Sequence, residues 1–199
     1  MDDNQLATDA TDDPLLEEMR ELWSESDAVW EGCRNQLEFG GFVSADYVEI
    51  YKHLVELQGQ VTNFLEWGSG LGVVAIMASR LGFESYGIEV EPLLIEHAQQ
   101  LAESYGSEAE FAEGSFIPDD YQWGIEDVGN PSRTNFDARA GYDDLDMELR
   151  DFDLVYAYPW PDEHGLYFDI MRTCGGEQAL FLTFDAREGV SLTRMGDSV

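Results

Sequence analysis

The chain has 199 residues, 44% hydrophobic and 13% aromatic, enough apolar material for one core and too much for an intrinsically disordered chain. Its formal net charge is −32, with Lys52 its single lysine; such a field opposes phosphate backbones and argues against tight non-specific nucleic-acid binding. No apolar run approaches the roughly 20 residues of a membrane helix, and the start, Met-Asp-Asp-Asn-Gln, lacks the regions of a signal peptide, so the expectation is a cytoplasmic protein with no membrane segment.

The acids are spread along the chain and are densest in residues 2–31 and 103–148. That spread favours a salt-adapted surface over an acidic patch for a basic partner. Cys33 and Cys174 have no C-x-x-C or metal spacing and read as reduced thiols in small buried sites. The three histidines, 53, 97 and 164, form no metal-ligand pattern, so no metal is expected.

Residues 1–43 read as an N-terminal helical extension and 44–199 as one α/β domain. Asp13-Pro14 opens the first helix: Asp caps it, Pro takes the first turn, and Glu17 and Glu18 suit its positive end. Leu15, Leu16, Met19, Leu22 and Trp23 form its apolar stripe. A second short helical piece carries Val29, Trp30 and Cys33. After Gly40-Gly41, Ser44 caps a helix with the stripe Val48, Tyr51, Leu54 and Val55.

Strand and helix then alternate, which predicts a parallel sheet covered on both faces. Strands are expected at 61–67, 84–89, 109–112, 152–157 and 179–184, with a short tail strand at 190–193. Helices are expected over 71–81, from Pro92 to near Gly106, and over 164–173. Residues 118–150 are acidic and aperiodic, too long for an ordinary connection, and read as an insertion or lid with a short helix in 142–149. The expected fold is a Rossmann-like, doubly wound, three-layer α/β/α sandwich.

The most informative stretch is residues 64–72, Phe-Leu-Glu-Trp-Gly-Ser-Gly-Leu-Gly. An apolar strand feeds a loop with glycines at 68, 70 and 72, and a helix follows. Such a loop lets the backbone turn sharply and approach a ligand. Glu89 ends the next strand, 89 − 68 = 21 residues on, about where a doubly wound fold places the acid that binds ribose hydroxyls. A dinucleotide fingerprint, G-x-G-x-x-G, would put its third glycine at Val73; this chain reads G-x-G-x-G after Glu66. A tight strand-to-helix turn with no ligand is the alternative.

These residues resemble the first two motifs of class I S-adenosylmethionine-dependent methyltransferases, over roughly residues 42–185. The resemblance implies S-adenosylmethionine as cofactor. By position, Glu66, Gly68, Gly70 and Gly72 would line its amino-acid end, Glu89 would hold the ribose, and Val90 would lie on the adenine. Ser115 stands where the family often has an acid for the adenine amine, and Phe116 is placed to pack on the purine. The family has seven strands; the residues after 185 are too few for its last hairpin, so the C-terminal edge should be shortened, or covered by the N-terminal helices or by a second chain in a homodimer.

The resemblance also places the acceptor beside residues 153–161, Asp-Leu-Val-Tyr-Ala-Tyr-Pro-Trp-Pro. Tyr158 occupies the position where amino-directed enzymes have Asp or Asn. Tyr156, Tyr158 and Trp160 read as a pocket wall fixed by Pro159 and Pro161. Asp162, Glu163 and His164 are candidates for a base, and Asp162-Glu163 equally for the cap of the next helix. The expected function is methyl transfer to a small-molecule or protein side-chain acceptor; the alternative is a non-catalytic S-adenosylmethionine- or nucleotide-binding module.

Overall fold

In the computed structural model, residues 13–35, 45–122, 134 and 138–196 are described. The first helix, α1 (Pro14–Cys33), is capped by Asp13, whose carboxylate accepts from Leu15 N–H at 3.0 Å. It is one continuous helix instead of the two expected pieces. Ser26 is buried in its middle and donates to the Trp23 carbonyl at 2.8 Å, so the polar stretch does not break it. Helix α2 (Tyr47–Leu57) is capped by Asp46; the expected cap, Ser44, lies outside the described residues. Its buried stripe is Ile50, Tyr51, Leu54 and Leu57, while Val48 and Val55 face outward, contrary to expectation. The Tyr51 hydroxyl donates to Asp13 at 3.1 Å and joins the two helices.

Strands β1 (Asn63–Trp67), β2 (Glu84–Glu89), β3 (Glu110–Glu113), β4 (Leu154–Ala157), β5 (Leu180–Asp185) and β6 (Gly189–Arg194) form one sheet in the order β3-β2-β1-β4-β5-β6. The first five are parallel and β6 is antiparallel to β5. Helices α3 (Val73–Arg80) and α4 (Pro92–Ser104) join α1 and α2 over one face, around Met19, Leu54, Phe64, Ile76 and Leu182. The other face packs a short α5 (Tyr142–Leu145) and α6 (His164–Cys174) on Leu65, Trp67, Val155 and Phe181. This is a Rossmann-like, doubly wound fold. Its last described strand, β6, folds back antiparallel on β5 through a tight turn that closes at Gly189, φ 79°.

Strand β4 starts two residues later than expected. The Asp153 carboxylate accepts from the N–H groups of Thr62 (2.8 Å) and Asn63 (3.1 Å), and so caps the entry to β1 instead of extending β4. Much of 118–150 lies outside the described residues, but both its ends are built into the core. Tyr121 is buried and donates to Asp169 at 2.7 Å; Ala140, Tyr142 and Leu149 are buried on the α6 face. The short helix expected in 142–149 is α5, Tyr142–Leu145. Cys33 and Cys174 are free thiols, half-buried instead of buried.

Candidate functional site

The sheet reverses its direction of growth between β1 and β4, and a crevice opens at the carboxyl ends of those strands. Here it is a cleft of about 730 Å³, within the range of small-molecule sites. Gly68 and Gly70 form one wall. Gly68 has φ 63°, and a Cβ built there meets nothing within 4 Å, so its glycine serves the backbone turn and the open space above it. Gly72 does a different job. It does not line the cleft, and a Cβ there would stand 2.5 Å from Phe111 Cζ and 2.9 Å from Ala98 Cβ. Its role is close packing of α3 against α4 and β3.

Gly72 is also the cap residue of α3 and has no side chain to cap with. Glu66 supplies the missing acceptor from β1: its Oε2 accepts from Ala75 N–H in the first helical turn at 2.8 Å. Glu66 is buried at the cleft wall. Burial pushes its carboxyl well above the ordinary range, against the Ala75 hydrogen bond, and the Glu89 charge adds to the rise.

Glu89 ends β2 in the cleft wall. Its Oε2 accepts from Gly70 N–H at 2.9 Å, and its Oε1 from Val90 N–H at 2.7 Å and Glu91 N–H at 3.1 Å. The carboxylate thus fastens the glycine loop to the end of β2. Burial raises its pKa and these three hydrogen bonds oppose the rise. A carboxylate has about four acceptor positions, so one remains for a ligand.

Val90, Ser115 and Phe116 line the cleft beyond Glu89. Phe116 is stacked on Trp67 at 4.8 Å between ring centroids and lies 4.8 Å from Tyr167. The Tyr142 hydroxyl fixes this group: it donates to the Phe116 carbonyl at 2.6 Å and accepts from Trp67 Nε1 at 3.1 Å. The Ser115 hydroxyl accepts from Ile117 N–H at 3.2 Å, which holds the local turn.

Toward α2 and the β5–β6 turn the cleft is lined by Tyr156, Tyr158 and Trp160, with Tyr47 of α2, Asp185 at the end of β5 and Glu188 of the turn. Parallel register sets Tyr156 beside Glu66. Tyr158 packs edge-on against Phe184, 4.9 Å between centroids. His164 is not among the lining residues; its Nε2 lies 3.5 Å from Asp185 Oδ2, which stands between it and the cleft. Asp162 is exposed. Glu163 occupies the cap position of α6 without capping it. Its buried carboxylate instead accepts from the Thr134 hydroxyl at 2.6 Å, which brings Thr134 to the cleft.

Sequence reasoning missed Ser69, Tyr47, Thr134, Asp185 and Glu188. Ser69 lay inside the glycine motif and carried a readable signal, a hydroxyl on the ligand-facing loop. The others reach the cleft from distant elements and had none. The hydroxyls of Ser69 and Tyr156 are buried in the wall and have no hydrogen-bond partner among the described residues. Buried polar groups rarely stay so, and a polar ligand in the cleft would satisfy them. The glycine loop, the free position on Glu89 and the Ser69 hydroxyl fit S-adenosylmethionine. Among the described residues, no cluster of His, Cys, Asp and Glu is fit to hold a metal ion, and no helix is long and apolar enough to cross a membrane.

No family model matches the chain, and no curated protein matches it. Solved structures do share its fold. An RNA methyltransferase from Salinibacter ruber, solved with S-adenosyl-L-homocysteine, superposes with a TM-score of 0.55 at 16% identity, over 79% of this chain and 96% of its own. A methyltransferase from Geobacter sulfurreducens superposes at 0.52 with 16% identity, over 87% and 74%. The fold is that of the class I methyltransferases. At this identity the likeness concerns architecture.

Proposed function

We propose that the protein is an S-adenosylmethionine-dependent methyltransferase acting on a small molecule or a protein side chain. The observation that carries this reading is the junction of Gly70 with Glu89, which joins a ligand-facing glycine loop to a carboxylate with acceptor capacity left over. The fold supports it, because the Salinibacter ruber protein was solved with S-adenosyl-L-homocysteine. In this reading Glu66, Gly68 and Gly70 hold the amino-acid end of the cofactor, with Gly72 setting the loop from behind. Glu89 takes the ribose hydroxyls, and Val90, Ser115 and Phe116 take the adenine. Bound there, the cofactor supplies an electrophilic methyl group on a sulfonium.

The chain's own residues then position and desolvate. Tyr158 and Trp160 hold the acceptor in line and exclude water, the largest contributions this kind of transfer needs. His164, paired with Asp185, is the proposed proton carrier when the acceptor arrives protonated. The net charge of −32 supports an acceptor other than nucleic acid. Two free thiols suit a cytoplasmic setting, and the β6 edge is the proposed contact of a homodimer.

The test is transfer of label from methyl-tritiated S-adenosylmethionine to a panel of amines, thiols, phenols and proteins. Tyr158→Ala and Trp160→Ala are expected to abolish transfer with cofactor affinity within about 1 kcal/mol of wild type. Folded variants that lose cofactor binding would move this wall into the cofactor site. Cofactor binding with no transfer to any acceptor class would favour a binding module.

A further inference from the structure

The wall around Tyr156 is charged and aromatic in a pattern that selects its ligand. The Tyr156 hydroxyl is buried and has no hydrogen-bond partner among the described residues. Glu66 stands beside it in parallel register, and Tyr47, Tyr158 and Asp185 line the same cleft. Asp185 is a fixed anion. Its Oδ1 accepts from the N–H groups of Arg187 (2.7 Å) and Glu188 (3.0 Å), and these bonds hold its carboxyl below the usual range. Its Oδ2 faces His164.

At this end the cleft is lined by the carboxylates of Asp185 and Glu188 against one guanidinium, that of Arg187, with Glu66 beside Tyr156 in register. An anionic ligand group at this end would face two carboxylates for one guanidinium. A neutral aromatic would find the rings but leave Asp185 and the Tyr156 hydroxyl without a purpose. A positive charge satisfies all three kinds of group: rings by cation–π attraction, Asp185 by charge, and the Tyr156 oxygen as acceptor.

We propose that this end of the cleft recognises a cationic amine, held between the Asp185 and Glu188 carboxylates and the rings of Tyr47 and Tyr158, with its ammonium donating to the Tyr156 hydroxyl. Calling that amine the methyl acceptor rests on the methyltransferase reading; its recognition rests on the wall alone. The charge is a handle for binding, whichever atom receives the methyl group.

The experiment titrates three probes of one shape, 2-phenylethylamine, 2-phenylethanol and phenylacetate, into the full chain with and without saturating S-adenosylhomocysteine. The amine is expected to bind about tenfold tighter than the alcohol, and phenylacetate weakest. Asp185→Asn and Glu188→Gln should each shrink that preference to less than about threefold. Glu84→Gln with Glu110→Gln, exposed carboxyls away from the cleft, should leave it intact, which separates the site from the field of the whole molecule. Equal binding of amine and alcohol, no binding of the amine, or a preference lost equally in the control variant would overturn the inference. Failure of S-adenosylhomocysteine to bind would instead sink the methyltransferase reading, while the amine result still decides the charge.

Discussion

Gly70 donates its N–H to the Glu89 carboxylate at 2.9 Å, which ties the loop after β1 to the end of β2 across 19 residues of chain. The bond makes Glu89 more than a ligand contact. Glu89→Ala should weaken S-adenosylhomocysteine binding by roughly 1.5–3 kcal/mol, the size of hydrogen bonds to a charged group. It should also speed hydrogen exchange at Gly70, Val90 and Glu91 in the free protein. Wild-type affinity together with wild-type exchange would show that the carboxylate neither binds nor restrains.

The glycines of the loop should separate by readout. Gly72→Ala forces a methyl group onto Phe111 and Ala98 at φ 71°, so it should cost about 2–4 kcal/mol of stability from overpacking and left-handed strain. Gly68→Ala meets open space in the cleft and should cost about 1–2 kcal/mol of stability, with a loss of cofactor affinity of about tenfold or more. Chemical denaturation and calorimetry on both variants check this. The opposite assignment of the two losses would contradict the geometry.

Glu66 and Glu89 both have pKa values raised by burial. A carboxyl raised on folding binds more protons in the native state, so its stabilisation is complete below the unfolded value and is lost as pH rises through the folded one. These two groups therefore make stability fall from mild acid toward neutral pH. Glu66→Gln keeps a carbonyl for Ala75 N–H and removes the titration. Its melting temperature should fall less steeply than wild type between pH 5 and 8 and match or exceed wild type at pH 8. An unchanged slope would mean that Glu66 titrates normally. Glu66→Ala, by contrast, leaves Ala75 N–H without its acceptor and should cost about 1–3 kcal/mol at any pH.

A net charge of −32 should make the fold salt-dependent. Raising potassium chloride from 0.1 to 1 M shortens the screening length from about 10 to about 3 Å. Each 1 kcal/mol of relieved repulsion raises the melting point of a chain this size by roughly 2–4 °C. A melting point that is flat or falls with salt would remove salt adaptation as the account of the acidity.

Sequence was most informative where local rules coincide. Strand β2 lies where expected because an apolar run ends on one acid, and the glycine loop because its turn needs left-handed positions. Glu66 and Glu89 stand out in the sequence and line the cleft, but the hydrogen bonds they make to the Ala75 and Gly70 N–H groups carry no side-chain signal. Glu163 looked like a helix cap and is a tether for Thr134, a partner 29 residues away. Tyr47, Asp185 and Glu188 reach the cleft from a cover helix and an edge turn, and their position follows from tertiary packing. Val48 and Val55 fitted a helical stripe, yet α2 packs on the neighbouring face.

The central claim is that this cleft is built for S-adenosylmethionine. Calorimetric titration of the full chain at matched high salt, with S-adenosylhomocysteine and separately with NAD, tests it most directly. S-adenosylhomocysteine is expected to bind, at least about tenfold more weakly in Glu89→Ala, and NAD to show no measurable binding. Tighter binding of NAD, or no heat with S-adenosylhomocysteine, would contradict it.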